Sequence, residues 1–373
     1  PHPFLAASGH LATLTGYFRK PVKVKFPRTR EMITMFDGGV FALDFYSNQL
    51  ERGDKLLNSI SKEEKESFLV NTSAKSSRVV KSQNIALLIH GVNGHSNENY
   101  MKYMANILLE SNLKEDSNCA WEVALMTMRG CAELQLESMI TYNAAFTADV
   151  RHAMHLLHNR FPDKNLYIIG FSLGGNLMIK AIAEECQEWK INTENDSEND
   201  NEIESELHTS ESRQISSHKQ IPWISGAVSI SNPFAFHKHI PSLHNPPYRF
   251  HSMNLYSRLV AYELMNFIKR HRLSLATFYN RMKNSYIYGS TSPLPEELDK
   301  VISSPSLKLL RGNNILPSLQ EVDRQITANY WGYPSLDHYL KDASSADALP
   351  SITIPLLCIQ AKDDPLVSES AIN

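Results

Sequence analysis

The residues with the spacing to do chemistry begin at Ser172, within Gly170-Phe171-Ser172-Leu173-Gly174. The apolar run 166–169 before it reads as a buried strand. Residues 176–184 after it read as a helix, with Leu177, Met178, Ala181 and Ile182 on one side. Strand, G-x-S-x-G, helix is the setting of a nucleophile elbow, whose sharp turn lifts a serine hydroxyl at the sheet edge. Strand and helix backbones pass close to such a serine, so its flanks must be small. Gly170, Gly174 and Gly175 meet that need. The plainer reading is a tight turn with an incidental serine.

A serine that attacks an acyl carbon needs donors for the developing oxyanion. Residues 85–89 read as a strand that runs into His90-Gly91-Val92-Asn93-Gly94. This is the place for an oxyanion loop, with the backbone N–H of Val92 as one donor and that of Leu173 as the other. Two fixed amide dipoles at that point lower the barrier by a few kcal/mol. A plain strand-to-helix turn is the alternative, since Gly and Asn form turns anyway.

The third requirement is an acid that orients the base. Residues 354–360 read as the last strand and lead into Ala361-Lys362-Asp363-Asp364-Pro365. In the chain order Ser, Asp, His the triad acid falls here. Asp364, directly before Pro365, is the first choice, and Asp363 competes with it. All 15 histidines precede Asp364. His90 lies near the site in such folds but belongs to the oxyanion loop. The expectation is therefore that the C-terminal end is truncated and that the catalytic histidine lies beyond Asn373. The chain also opens on Pro1 rather than Met, so a signal or membrane anchor is expected upstream.

These groups must be held by alternating strands and helices around a mostly parallel sheet. Asp37-Gly38-Gly39 between the strand-like runs 31–36 and 40–46 predicts an N-terminal β-hairpin. Residues 9–14 read as a helix or turn, and 49–82 as an exposed connection. The spacing predicts a helix over 97–111 with Tyr100, Tyr103, Met104, Ile107 and Leu108 on its apolar face. A strand over 121–128 follows, then a helix over 147–159 with Val150, Met154 and Leu157 inward, and later a strand over 224–230. Residues 191–220 are acidic and polar and read as a disordered insertion, either a solvated loop or a docking tail. From 233 to 352 the alternation stops. Helical, aromatic-rich pieces, including 256–270 with Leu259, Val260, Leu264, Phe267 and Ile268, read as a helical cap. Its apolar residues would line an acyl pocket or hold the cap together.

Composition narrows the classes. One α/β domain spanning 1–373 fits the length, and 42% apolar content suffices for a core. A net charge of −3 gives no basic surface for nucleic acid. Cys119, Cys131, Cys186 and Cys358 are scattered without a C-x-x-C pair, which argues against a zinc site or disulfide framework and for a reducing, intracellular compartment. No run of about 18 apolar residues exists to span a membrane. His152 and His155 sit three apart on a helix without an H-E-x-x-H companion set, so no metal site is assigned. His158 and Asp163 match an H-x4-D acyltransferase spacing, but Pro162 ends the helix between them.

Taken together, these residues resemble a branch of the α/β-hydrolase family. It contains yeast medium-chain fatty-acid ethyl ester synthase/esterases, a yeast acylglycerol lipase and animal membrane-anchored phospholipid and acylglycerol hydrolases. The matching residues are Gly9-His10-Leu11-Ala12-Thr13, Asp37-Gly38-Gly39 with Leu43-Asp44-Phe45, and His90 to Gly94. Arg129-Gly130-Cys131 with the run Tyr142 to Arg151 is the most family-specific part. Gly170 to Asn176, Asp337-His338-Tyr339-Leu340 with Ala343-Ser344, and Ala361 to Pro365 complete the set. The chain departs from the family at Ala12, where glutamine is usual, in the length of its acidic insertion, and in having no Gly-Gly-His after Asp364.

The resemblance implies an α/β-hydrolase fold with Ser172 and Asp364 in the triad. It also implies a serine carboxylic ester hydrolase of lipid-like esters such as acylglycerols or medium-chain fatty-acid esters. An alcohol O-acyltransferase at the same site is one alternative. A non-catalytic binding protein lacking the triad histidine, or a soluble lipid carrier, is another. No metal or organic cofactor is required by acyl-enzyme chemistry. The expected partner is a small lipid-like ester, with no nucleic acid and no obligate protein partner. Association with a membrane or lipid droplet is expected through a segment before Pro1.

Overall fold

Among the described residues seven strands form a single sheet. They are β1 (Arg28–Thr34), β2 (Val40–Tyr46), β3 (Asn84–Ile89), β4 (Trp121–Thr127), β5 (Asn165–Phe171), β6 (Ile224–Ile230) and β7 (Leu356–Ile359). The structure is a computed structural model that describes residues 22–46 except 25, 83–112, 120–204, 221–238, 252–275, 277, 317–364 and 367. The turn expected at 9–14, the connection at 49–82, Cys119 and Pro365 lie outside the described residues. The sheet order is β1-β2-β4-β3-β5-β6-β7. β2 pairs antiparallel with β1 and with β4, and every later pairing is parallel.

The hairpin forms where the sequence predicts it. Gly38 takes φ 80 and the Asp37 carboxylate accepts the Gly39 N–H, an Asx turn between the two strands. β3 is buried throughout and alternates between two layers, as a strand must. Ala86 and Leu88 face α1 (Asn99–Ser111), while Ile85, Leu87 and Ile89 face the opposite layer. That second layer is built on α2 (Ala148–Arg160) and α3 (Leu173–Glu204). On α2, Val150, Met154 and Leu157 are buried as the periodicity predicts.

The face predicted for α1 needs correction. Met101, Ala105 and Leu109 are its buried residues, whereas Tyr103 and Ile107 are exposed. Apolar residues surround this helix, so the stripe is ambiguous in sequence. Small Ala105 at the centre lets the helix approach the sheet. The expected disorder over 191–220 is also corrected in part. α3 begins directly after Ser172 and continues to Glu204, while 205–220 lie outside the described residues. A helix once nucleated propagates through residues free of Gly and Pro, and none occurs from Asn176 to Glu204.

Beyond the sheet, α4 (Ser252–Arg270) packs on α5 (Leu319–Val322), whose first amide donates to Ser257 Oγ. Ser318 and Glu321 close a capping box at the start of α5. A π-helical turn, Asp323–Thr327, and a short helix, Ala328–Tyr330, continue from it. α6 (Leu336–Ala343) follows. Between α4 and the π-helical turn lies an apolar cavity of about 60 Å³, walled by Leu264, Phe267, Ile268, Val322, Ile326 and Tyr142 among others.

Candidate active site

The sheet order places the candidate groups together. From β3 the chain steps to β4 on one side, then crosses back to β5 on the other, so the order reverses around β3. Ligand crevices in α/β sheets open at the carboxyl ends of strands at such a reversal. His90 follows β3, Met128 and Arg129 follow β4, Ser172 follows β5 and Ser231 follows β6.

Ser172 has φ 50, the left-handed region that non-glycine residues rarely occupy. Strain of this kind costs on the order of 1–3 kcal/mol and persists only where the surroundings enforce it. Here the Ser172 N–H is fixed on Ile230 O at 2.8 Å, and Ser172 O accepts the Asn176 N–H to open α3. The elbow tolerates no side chain beside it. A Cβ on Gly170 would lie 2.5 Å from Gly174 O, and one on Gly174 would lie 2.4 Å from Ile89 O.

The His90–Gly94 loop lies directly against this serine, since a Cβ on Gly91 would meet Ser172 Cβ at 3.3 Å. Three of its amides are bonded. Gly91 N–H donates to Tyr100 Oη at 3.0 Å, Asn93 N–H to Tyr142 Oη at 3.0 Å and Gly94 N–H to Gly91 O at 3.1 Å. Val92 N–H has no acceptor among the described residues, and neither has Leu173 N–H at the start of α3.

His90 is held away from proton transfer. Its Nδ1–H donates to Gly91 O at 2.6 Å, and its Nε2 accepts the Met128 N–H at 3.0 Å. Both ring nitrogens are engaged, the tautomer is fixed, and complete burial pushes the imidazole down to about 4. Among the described residues no side chain hydrogen-bonds the Ser172 hydroxyl. Asp364 lies in the turn after β7, where its Oδ1 accepts the Val367 N–H at 3.3 Å, whereas Asp363 is exposed. β6 separates β5 from β7, a gap of two strand spacings, on the order of 10 Å.

No family model matches the chain. Similarity to individual proteins runs over most of its length. Monoacylglycerol lipase of Saccharomyces cerevisiae is 24% identical over 97% of this chain and 68% of its own. Medium-chain fatty acid ethyl ester synthase/esterase 2 of the same yeast is 21% identical, covering 92% and 70%. Phospholipase ABHD3 of Mus musculus is 23% identical, covering 92% and 60%. The chain thus spans 60% to 70% of the length of these relatives. It has an α/β-hydrolase fold, a mostly parallel seven-stranded sheet with helices on its two faces.

Within this fold, the residues that carry the resemblance prove mostly to be supports. Arg129 is buried, with Nε and Nη2 on the two Asp149 oxygens at 2.7 and 2.5 Å and Nη1 on Asp37 Oδ2 at 2.6 Å. It joins the hairpin turn to the end of β4 and the start of α2. Burial alone would raise the Asp37 carboxyl, but the bonds and charge of Arg129 hold it below its ordinary value. Asp44 on β2 receives a bidentate pair from Arg30 at 2.8 and 2.9 Å. Asn176 Nδ2 donates to Ala144 O and Ala343 O, tying α3 to the 142–147 run and α6. Asp337 and His338 are exposed on α6, and His338 Nδ1 meets the N-cap Ser335 Oγ.

The histidines of α2 stay at the periphery. His155 pairs with Glu185 at 3.0 Å, and both His155 and His158 stack near Trp223. Sequence reasoning missed three residues that hold the His90–Gly94 loop: Tyr100, Tyr142 and Glu263. Tyr100 was visible only as part of an apolar helix face, and Tyr142 only within a family-specific run. Glu263 carried no signal, being 170 residues from its partner Asn93.

Proposed function

We propose that the protein is a serine carboxylic ester hydrolase of lipid-like acyl esters, such as acylglycerols or medium-chain fatty-acid esters. The observation that carries this reading is the left-handed Ser172 at the end of β5, set against a loop in which the Val92 amide has no acceptor among the described residues. In the reading, Ser172 Oγ attacks the acyl carbon and its proton passes to an imidazole. The amides of Val92 and Leu173 hold the oxyanion. Collapse of the tetrahedral species expels the alcohol, which leaves with the proton from the imidazolium. Water then repeats the sequence on the acyl-enzyme and frees the acid.

In the reading, Asp364 fixes the tautomer of the imidazole that serves as base. His90 is unsuited to that role, because both its nitrogens are bonded. The region 233–352 acts as the cap of a single hydrolase domain, and the apolar cavity under α4 takes part of the acyl chain. Among the described residues no helix is long and apolar enough to cross a membrane. Esters of this class reside in membranes and lipid droplets, which is where the reading places the enzyme at work.

The name of the yeast synthase/esterase relative supports a second reading, in which an alcohol replaces water at the acyl-enzyme. Product analysis in aqueous ethanol separates the two, because an ester-to-acid ratio that follows ethanol concentration favours transfer. Ser172→Ala should remove both activities on p-nitrophenyl octanoate. Full turnover by that variant sinks the assignment.

A further inference from the structure

We infer that Glu263, on α4, is a positioning residue that holds the oxyanion loop through Asn93. The inference rests on the reading of Val92 N–H as an oxyanion donor and extends it to a residue far away in sequence. Asn93 has φ 50, a left-handed turn conformation that asparagine adopts readily, and it adjoins Val92 directly. Its Nδ2 donates to Glu263 Oε2 at 3.0 Å and to Glu263 O at 3.2 Å. Its Oδ1 is buried and accepts no hydrogen bond among the described residues. The orientation of the amide is therefore set by Glu263. A flipped amide would point its oxygen at the Glu263 carboxylate.

A second route from the same helix reaches the same residue. Phe267, one turn along α4, meets Tyr142 edge-to-face at 5.3 Å, and Tyr142 Oη accepts the Asn93 N–H. α4 is itself anchored next to β4, where Gly130 O accepts from His271 Nε2 at 2.6 Å. Leu264, Phe267 and Ile268 of this helix also wall the apolar cavity. One helix thus forms the cavity wall and grips the loop that carries Val92. Loss of the Glu263 carboxylate leaves the Asn93 side chain on the Glu263 main-chain O alone and loosens the Val92 N–H from the direction the oxyanion requires. A donor needed only in the transition state affects kcat more than KM.

The test is a double-mutant cycle on the full chain with p-nitrophenyl octanoate. Glu263→Ala is expected to lower kcat about 10-fold with KM changed less than about 3-fold. Glu263→Gln, which keeps an acceptor oxygen, should recover most of the loss. Asn93→Ala should lower kcat similarly, and the double variant should fall no further than the worse single variant. Multiplicative losses in the double variant overturn the inference, as does an unchanged kcat in Glu263→Ala. Equal losses in Glu263→Ala and Glu263→Gln also overturn it. Should Glu263→Ala fold poorly, the Gln and Asn93 variants decide by the same criteria. Ser172→Ala is the control: activity surviving there defeats the hydrolase reading itself, whereas a dead Ser172→Ala with additive Glu263 effects defeats the positioning role alone.

Discussion

At the scale of single residues, the site separates groups that react from groups that hold. His90 shows the distinction. An imidazole beside a candidate nucleophile looks like a base, yet its Nδ1–H is bound to Gly91 O and its Nε2 to Met128 N–H. Burial holds it near 4, against an ordinary value of about 6.5. Between these values the unfolded chain binds a proton that the native state refuses. Stability from His90 is therefore complete above about pH 6.5 and is lost as pH falls towards 4, by on the order of 3 kcal/mol in total. Urea unfolding near pH 7.5 and near pH 5 checks this. The wild type should lose about 2 kcal/mol more over that interval than His90→Gln. Identical losses would mean that His90 titrates normally in the native state.

At the scale of elements, one buried guanidinium joins three of them. Arg129 follows β4, Asp37 sits in the β1–β2 turn and Asp149 begins α2. Replacing Arg129 by Met leaves two carboxylates without their cation, one of them buried. A loss of this type costs about 3–5 kcal/mol. The expected result is a matching fall in unfolding free energy, measured by urea denaturation, with Arg129→Lys intermediate because Lys cannot bond both carboxylates bidentately. A loss below about 1 kcal/mol in Arg129→Met would place Arg129 among ordinary surface pairs. The hairpin turn itself was legible from Asp37-Gly38-Gly39, because turn chemistry is local. The partner of its aspartate lies 92 residues away and was not.

At the scale of the whole molecule, the sheet brings its strand ends together while α4 and the Asp323–Thr327 turn close a cavity nearby. The same α4 carries Glu263, so pocket shape and loop position are mechanically linked. Leu264→Trp should fill the cavity while leaving Glu263 in place. The ratio of kcat/KM for p-nitrophenyl octanoate over p-nitrophenyl butyrate should then fall by about 10-fold or more, since each methylene seated in an apolar pocket contributes about 1–3 kcal/mol. An unchanged ratio would show that the acyl chain lies elsewhere.

The sequence by itself determined the features whose physics is local. G-x-S-x-G between an apolar strand and a helix fixed the elbow, because only glycine fits where Gly170 meets Gly174 O and Gly174 meets Ile89 O. Short continuous apolar runs marked β3 and β5, and His90-Gly91 after β3 marked the loop beside the serine. The tertiary structure alone decided which face of α1 turned inward, since its apolar residues encircle the helix and only packing selects Met101, Ala105 and Leu109. It alone continued α3 to Glu204 and committed both nitrogens of His90 to backbone groups. It also brought Tyr100, Tyr142 and Glu263 onto one loop. Hydrogen bonds between residues far apart in the chain leave no periodicity for a sequence to display, because the partners meet only after the layers have packed.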